Sequence, residues 1–156
     1  MLDRRFFNKI KTEVRDRYRK HIFDPAGGGS GAKDVFDKKY PAYTSTQYRI
    51  AKSKGIIKAG GKGGKPQDLK FKASNAPVLT GDLYKTFDTH HGSISNGFGF
   101  GTLTEQSKVR SLAKLKRYIS TNAMPLPNKV AKYIMDQADK YVKAELGKIK
   151  GRTFNI

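Results

Sequence analysis

The chain has 156 residues, a hydrophobic fraction of 37% and no cysteine, which favours a single domain and excludes disulfides and cysteine-based metal sites. No apolar run approaches the ~20 residues that a transmembrane helix needs, so no membrane partner is predicted. The 32 Lys and Arg against 13 Asp and Glu give a formal net charge of +19, which attracts nucleic acid and equally suits an acidic protein neighbour.

Residues 1–24 predict a long N-terminal helix with one apolar stripe. Its apolar positions are Leu2, Phe6, Phe7, Ile10, Val14, Tyr18 and Ile22. Because a step of four residues overshoots a turn of 3.6, the stripe drifts around the helix axis by ~40° per step, and one straight groove cannot cover all of it. Half of the stripe is then free to pack on the core. We predict that the other half is exposed and docks on another subunit through Leu2, Phe6, Phe7, Ile10 and Val14.

The chain after this helix divides into a linker, a larger domain and a short tail. Asp24-Pro25 ends the helix, and the glycine-rich residues 25–34 predict a flexible linker that leaves the helix as a swinging arm. Residues 35–150 form the main domain, and residues 151–156 a tail. A capping box at Thr44 and Gln47 predicts a short helix over 45–54.

Two groups of basic residues are candidates for contact with DNA or with an acidic partner. The glycine-rich residues 55–72 predict a basic loop, since nothing apolar there offsets the cost of ordering it. The cations in and beside this loop are Lys54, Lys58, Lys62, Lys65, Lys70 and Lys72. The second group lies in a stretch without acidic residues and comprises Lys108, Arg110, Lys114, Lys116 and Arg117. Either group needs only to reach a phosphate backbone, and no pattern for sequence-specific reading accompanies them.

A small antiparallel sheet is predicted in the middle of the domain. Leu69 and Phe71 indicate a brief strand, residues 77–81 a turn, and the alternation over 82–89 a longer strand with two different faces. Residues 90–93 or Asn96-Gly97 would supply a hairpin turn before a return strand over 98–103.

Two helices are predicted after the sheet. Thr102 and Glu105 form a capping box before a helix that extends to about residue 115. Pro127 suits the first turn of a last, amphipathic helix over 128–149. Its apolar stripe is expected to belong to the core and consists of Val130, Tyr133, Ile134, Ala138, Tyr141, Val142 and Ile149.

No catalytic, metal or cofactor site is predicted. His90 and His91 are adjacent, and adjacent strand residues point to opposite faces, so the pair is poorly placed to share a metal. A phosphate-binding loop would need Gly at 59 and Ser or Thr at 66, where the chain has Ala59 and Pro66. The acidic residues show no paired spacing, so the chain is not expected to be an enzyme.

One segment resembles a known group of viral proteins. Leu79, Thr80, Gly81 and Leu83, followed by Thr86-Phe87, match a short motif of the tailed-bacteriophage virion morphogenesis proteins, which include neck, head–tail connector and tail-completion proteins. The Pro-containing step at residues 124–127 before a C-terminal amphipathic helix is similar too. The likeness extends over about residues 35–147, although residues 102–119 form a basic insert where members carry an aromatic and glycine-rich segment.

The resemblance implies an α+β fold, with a small antiparallel β-sheet flanked by a long N-terminal helix, short middle helices and a C-terminal amphipathic helix. It implies a structural protein without catalysis, which forms a six- or twelvefold homo-oligomeric ring in the virion neck and joins the DNA-filled head to the tail. Its expected partners are the portal-side connector or adaptor, the tail proteins and double-stranded DNA in the channel. Synthesis in a bacterial host cytoplasm suits a chain without cysteine. The alternative is a non-viral basic module that contacts nucleic-acid phosphates nonspecifically.

Overall fold

Helices and two antiparallel ribbons make up the α+β fold of this chain. The computed structural model describes residues 2–44, 56–59, 62–66, 69–71, 74–78, 81–90, 99–102, 104–119 and 125–150. The helices are α1 (Arg4–Phe23), α2 (Asp82–Thr86), α3 (Gln106–Lys114) and α4 (Asn128–Lys150), with a 3₁₀ turn at Leu69–Phe71. The strands are β1 (Ile56–Ala59), β2 (Lys62–Pro66), β3 (Asp88–His90) and β4 (Gly99–Gly101). None of the described helices is long and apolar enough to cross a membrane.

Helix α1 forms as predicted, with a cap at each end. The Asp3 side chain accepts hydrogen bonds from the backbone N–H groups of Arg5 and Phe6, both at 3.0 Å. At the other end Asp24 adopts the left-handed conformation with φ 46°, and its N–H donates to the carbonyl of Lys20. The Phe6 N–H is the main cause that lowers the pKa of Asp3, so the cap is held by the ionised carboxylate.

The apolar stripe of α1 is buried within the same chain, and the prediction that part of it is exposed for docking is wrong. Phe6, Ile10 and Val14 expose 2%, 3% and 0% of their surface. Leu2 and Phe7 are half-buried and pack against this core. The stripe drifts around the axis as expected, but different elements cover its successive turns.

Helix α4 covers the first half of this stripe. It lies antiparallel to α1, since the rings of Phe6 and Tyr141 are 5.3 Å apart while the Arg17 guanidinium lies 4.2 Å from the ring centre of Tyr133. The Tyr141 hydroxyl also donates to Oδ1 of Asp3 at 3.1 Å. The predicted helix over 128–149 is confirmed as α4.

The predicted core stripe of α4 is only partly buried. Val130 is buried, and four residues are half-buried against the core, namely Tyr133, Ile134, Ala138 and Tyr141. Val142 is 40% exposed, which contradicts its assignment to the core. Ile149 lies where no side chain is described. The single helix α1 covers one side of α4, so a stripe that extends beyond this side stays in solvent.

The predicted flexible linker is a turn folded around the Asp24 carboxylate. Oδ1 of Asp24 accepts the N–H of Gly27 at 3.3 Å, and Oδ2 accepts that of Gly31 at 2.8 Å. Gly29 is buried against Ser74 with φ +83°, a conformation that favours glycine. The swinging-arm hypothesis is therefore wrong, because this turn fixes α1 to the rest of the domain.

Strands β1 and β2 form a ribbon where a basic loop was predicted. Ile56 pairs with Pro66, Ile57 with Lys65, and Ala59 with Lys62, with a shift of register before Ala59. Residues 60 and 61, which separate the two strands in the sequence, lie outside the described residues. The strand predicted at 69 and 71 is a 3₁₀ turn instead. The helix predicted over 45–54 lies outside the described residues.

The strand predicted over 82–89 is a short helix followed by a strand. Leu83 and Phe87 are four residues apart and both buried, which is a helical spacing. The Thr86 hydroxyl donates to the carbonyl of Asp82 at 2.9 Å within this helix. The alternation in the sequence therefore gave the wrong element for 82–86.

The hairpin predicted between a strand over 82–89 and a return strand over 98–103 is confirmed only in a shorter form, as β3 paired with β4. Asp88 pairs with Gly101, Thr89 with Phe100 and His90 with Gly99, all antiparallel. The connecting residues 91–98 lie outside the described residues. Among the described residues, the two ribbons are separate, so the predicted sheet is reduced to the pair β3–β4, and the pair β1–β2 lies where a loop was predicted.

The helix predicted after Thr102 is confirmed as α3. The Thr102 hydroxyl accepts the N–H of Glu105 at 3.1 Å, which is one half of the predicted capping box. The Glu105 carboxylate binds Nζ of Lys108 at 2.5 Å instead of turning back to close the box.

Two glycine variants test whether the turn over 24–31 is packed or free. Gly29→Ala should lower the free energy of unfolding by roughly 2–4 kcal/mol, because its new Cβ would meet the Ser74 side chain and lie 2.8 Å from Cβ of Ala76 at a positive φ. Gly147→Ala is the control, since nothing lies within 4 Å of its Cβ. This change should raise stability by up to ~1 kcal/mol through helix propensity. Urea unfolding followed by circular dichroism measures both, and an unchanged midpoint for Gly29→Ala would mean that the turn is unpacked.

Candidate interaction surfaces

Three of the lysines predicted to lie in a basic loop are part of the strands β1 and β2. Lys58 lies in β1, and Lys62 and Lys65 lie in β2, but their side chains are not described. Lys54 and Lys72 lie outside the described residues. The side chain of Lys70 is exposed, with Nζ 5.3 Å from the ring centre of Phe71 and 5.7 Å from that of Tyr84. Contact of these lysines with DNA or an acidic partner stays a prediction.

The described part of the Thr-Gly-x-Leu motif fixes the position of α2. Leu79 and Thr80 lie outside the described residues. Gly81 takes φ 85° at the start of α2, a value that a residue with a Cβ rarely adopts. Leu83 then enters the core with 6% of its surface exposed. The motif therefore determines where this segment turns and packs.

Phe87 connects the same segment to α1. Its ring stacks on Tyr18 with centres 4.7 Å apart and planes 6° apart. Its carbonyl accepts a hydrogen bond from Nε of Arg19 at 2.7 Å, and Nη2 of Arg19 reaches the Lys85 carbonyl at 3.1 Å. The motif, α2 and the start of β3 are thus held to the C-terminal half of α1.

Arg117 belongs to the second basic group in the sequence but is buried. It exposes 3% of its surface, and its guanidinium lies 3.8 Å from the ring centre of Tyr43. Nη2 donates to the Pro41 carbonyl at 2.5 Å and Nη1 to the Leu115 carbonyl at 3.3 Å, while Nε has no hydrogen-bond partner among the described residues. Arg117 therefore joins the segment around Pro41 to the end of α3 and is not available to a phosphate.

The other cations of this group remain at the surface. Lys108 pairs with Glu105 and, at 3.5 Å, with Asp82. Arg110, Lys114 and Lys116 are exposed. Predicted phosphate contact through this group is thus limited to side chains other than Arg117.

A basic cleft that the sequence did not indicate lies where the C-terminal end of α1 meets the N-terminal end of α4. It has a volume of about 300 Å³. Its lining residues are Arg17, Lys20, His21, Asp24, Gly31, Lys33, Lys129 and Val130. We call it the cationic cleft, because four cations against one carboxylate give a net charge of +3 without counting His21. No sequence pattern marks it, since its lysines come from three separate segments.

The charges in the cationic cleft are unequally satisfied. The Asp24 carboxylate is taken up by the N–H groups of Gly27 and Gly31. Arg17 is held by Glu13, with Nε 2.7 Å from Oε1, and by the ring of Tyr133. The three lining lysines, in contrast, form no ion pair in the part of the chain that the structure describes.

His21 lies at the back of the cleft and is already engaged. Its Nε2 is 2.9 Å from the carbonyl oxygen of Asp34 and 3.5 Å from Oδ1 of Asp37. Only 9% of its side chain is exposed. The histidine therefore contributes to local structure and leaves the lysines as the accessible groups.

An apolar stripe remains on the outer side of α4. Met135, Val142 and Leu146 expose 61%, 40% and 53% of their surface. Val142 and Leu146 follow Met135 by seven and eleven residues, and these spacings place all three on one side of a helix. We call them the outer stripe. The acidic residues Asp136 and Asp139 lie on the same stretch and are exposed.

The described residues contain no cluster of side chains that could bind a metal ion. No group of three or more His, Cys, Asp or Glu in this part of the chain is placed to hold an ion. His91 lies outside the described residues, and the side chain of His90 is not described. The expectation that the chain is not an enzyme stays a prediction.

Comparison of the chain with protein-family models, with curated proteins and with solved structures gives no match. The viral resemblance therefore depends on the motif and on the order of elements in the sequence.

Arg117→Lys tests whether the buried guanidinium has a structural role. Lysine keeps the charge but loses the planar stack on Tyr43 and the two-carbonyl contact, so unfolding free energy should fall by about 2 kcal/mol or more. The exposed Arg110 lies in the same sequence stretch, and Arg110→Lys should change stability by less than ~0.5 kcal/mol. Thermal unfolding of both variants provides the comparison. Equal stability of the two would show that Arg117 is not constrained by these contacts.

Proposed function

We propose that this chain is a structural subunit of the neck of a tailed bacteriophage. In this role it forms a ring between the DNA-filled head and the tail and catalyses no reaction. The outer stripe carries the proposal, because large apolar side chains remain in solvent on a helix whose other side is packed. Location in the virion, with portal-side and tail proteins as neighbours, belongs to the same proposal.

A second copy of this chain is the proposed occupant of the outer stripe. The stripe is bordered by Asp136 and Asp139, whereas the chain as a whole carries a net charge of +19. The exposed side of α1, for example, presents Arg4, Arg5 and Lys9. Asp136 and Asp139 can pair with this basic surface of a neighbouring copy, while the exposed Lys132 and Lys143 also lie beside the stripe. Contacts between two unlike faces are the kind that generate rings.

The packing of the motif residues supports the proposal of a viral structural subunit. Gly81 and Leu83 direct the chain into α2, and Phe87 attaches this segment to α1. The residues that carry the resemblance thus hold the second ribbon in a defined position on the core. Such a rigid attachment suits a subunit that must present the same surfaces in every copy.

A non-viral nucleic-acid-binding module is the second candidate. The cationic cleft and the net charge of +19 favour it, because both would attract phosphates without any ring. The two candidates differ in size in solution. A ring subunit associates through the outer stripe, while a simple binding module stays small.

The association state tests the proposal. Sedimentation velocity and electron microscopy of the purified chain should show closed rings. Met135→Gln with Leu146→Gln should weaken association by at least about a hundredfold, since each buried large apolar side chain contributes about 1.5–3 kcal/mol. Both positions are exposed in the single chain, so the thermal midpoint of the dissociated subunit should stay nearly unchanged.

Phe36→Gln with Leu115→Gln provides the matched control. These residues are each 46% exposed and lie on other elements, so this pair should leave association intact. A chain that stays monomeric at every concentration, with or without DNA, would overturn the proposal. Equal loss of association in both double variants would overturn the assignment to the outer stripe.

A further inference from the structure

We infer that the cationic cleft is a binding site for phosphate groups of the DNA backbone. The inference takes the presence of DNA from the proposed function, and it takes the site from the geometry of the described residues. It assigns the DNA contact to the junction of α1 and α4, rather than to the ribbon that contains the predicted loop lysines.

Three lysines converge on the cleft from separate segments. Lys20 comes from the last turn of α1, Lys33 from the segment after the Asp24 turn, and Lys129 from the first turn of α4. The backbone N–H of Lys33 donates to the His21 carbonyl at 2.9 Å, which fixes this segment beside α1. The fold thus brings three lysines from separate segments to the lining of one cleft.

The positive charge of the lining suits an anionic ligand. The three lining lysines form no ion pair with a described residue, so their positive charge is not neutralised within this part of the chain. Lys33 is also half-buried, where its charge is less screened by water. A concave surface with one sign of charge concentrates the field and attracts a counterion of opposite sign. The positive end of the α4 dipole adds to the same field.

The chemistry of the cations favours phosphate over carboxylate. Arginine is the side chain that matches the planar fork of a carboxylate, but Arg17 is already held by Glu13 and Tyr133. The accessible groups are ammonium ions, which act as point charges with donors that rotate to suit a tetrahedral anion. The one carboxylate in the lining does not compete, because its oxygens accept Gly27 and Gly31.

The cleft and the outer stripe are compatible within one subunit. Both involve α4, but the cleft uses its first turn at Lys129 and Val130, whereas the stripe begins at Met135. A subunit can therefore contact a neighbouring copy and a DNA backbone at the same time.

Salt-dependent binding to a labelled 25-base-pair duplex tests the inference. Fluorescence anisotropy of the full chain gives the slope of log affinity against log salt concentration. Replacing Lys20, Lys33 and Lys129 together by alanine should reduce this slope by about 2.7, since each lost phosphate contact contributes about 0.9. Affinity at 100 mM salt should fall by at least about tenfold.

Two control variants separate a site from diffuse charge. Replacing Lys38, Lys39 and Lys140 by alanine removes the same charge from exposed positions outside the cleft, and should change the slope by less than about 1. Replacing the three cleft lysines by arginine keeps the charge and should retain most of the affinity. Circular dichroism confirms that each variant is folded.

Three outcomes would overturn the inference. Equal losses in the two alanine triples would show that binding is spread over the surface. No loss in the cleft triple would place the contact elsewhere. Stronger cleft-dependent binding of poly-glutamate than of DNA would identify a carboxylate partner. Ring assembly is measured separately, so rings without cleft-dependent DNA binding would refute this inference and leave the proposed function standing.

Discussion

Burial of the apolar stripe of α1 is the constraint on which the other elements depend. Its six buried residues are Phe6, Ile10, Val14, Tyr18, Ile22 and Phe23. Each such side chain contributes about 1.5–3 kcal/mol when it leaves water, and a whole domain is stable by only about 5–15 kcal/mol. Helix α4 covers the first turns, the Phe87 ring covers Tyr18, and the Asp24 turn fixes the C-terminal end. Removal of α1 would therefore leave the remaining elements without a common core.

This arrangement decides which surfaces remain for partners. The side of α1 that first suggested a docking face is used internally, so the proposed association uses the outer stripe of α4 instead. The same antiparallel packing brings the C-terminal end of α1 next to Lys129 and creates the cationic cleft. A subunit with one apolar strip and one basic cleft has two different surfaces for two different kinds of partner, and the proposed ring around DNA would use both.

Local signals in the sequence predicted the long helices well, because their information lies within a few residues. The four-residue spacing of α1 and the Thr102 cap of α3 both act over one or two turns. The failures depend on contacts between distant residues. Nothing near Gly29 reveals that Ser74 packs on it, and the short run from Leu83 to Phe87 fits both a strand and a helix until Tyr18 covers it. The burial of Arg117 and the convergence on the cationic cleft likewise arise only when separate segments meet.

Native-state hydrogen exchange of the α1 amides, at a concentration where the chain is monomeric, tests the central claim most directly. If α1 is the axis of the core, its amides between Ile10 and Ile22 exchange only through global unfolding, with the same opening free energy as the amides of α4 between Ile134 and Tyr141. If α1 were an arm attached by a free linker, its amides would exchange through a low-energy local opening while those of α2 and β3 stayed protected. That second pattern would contradict the account.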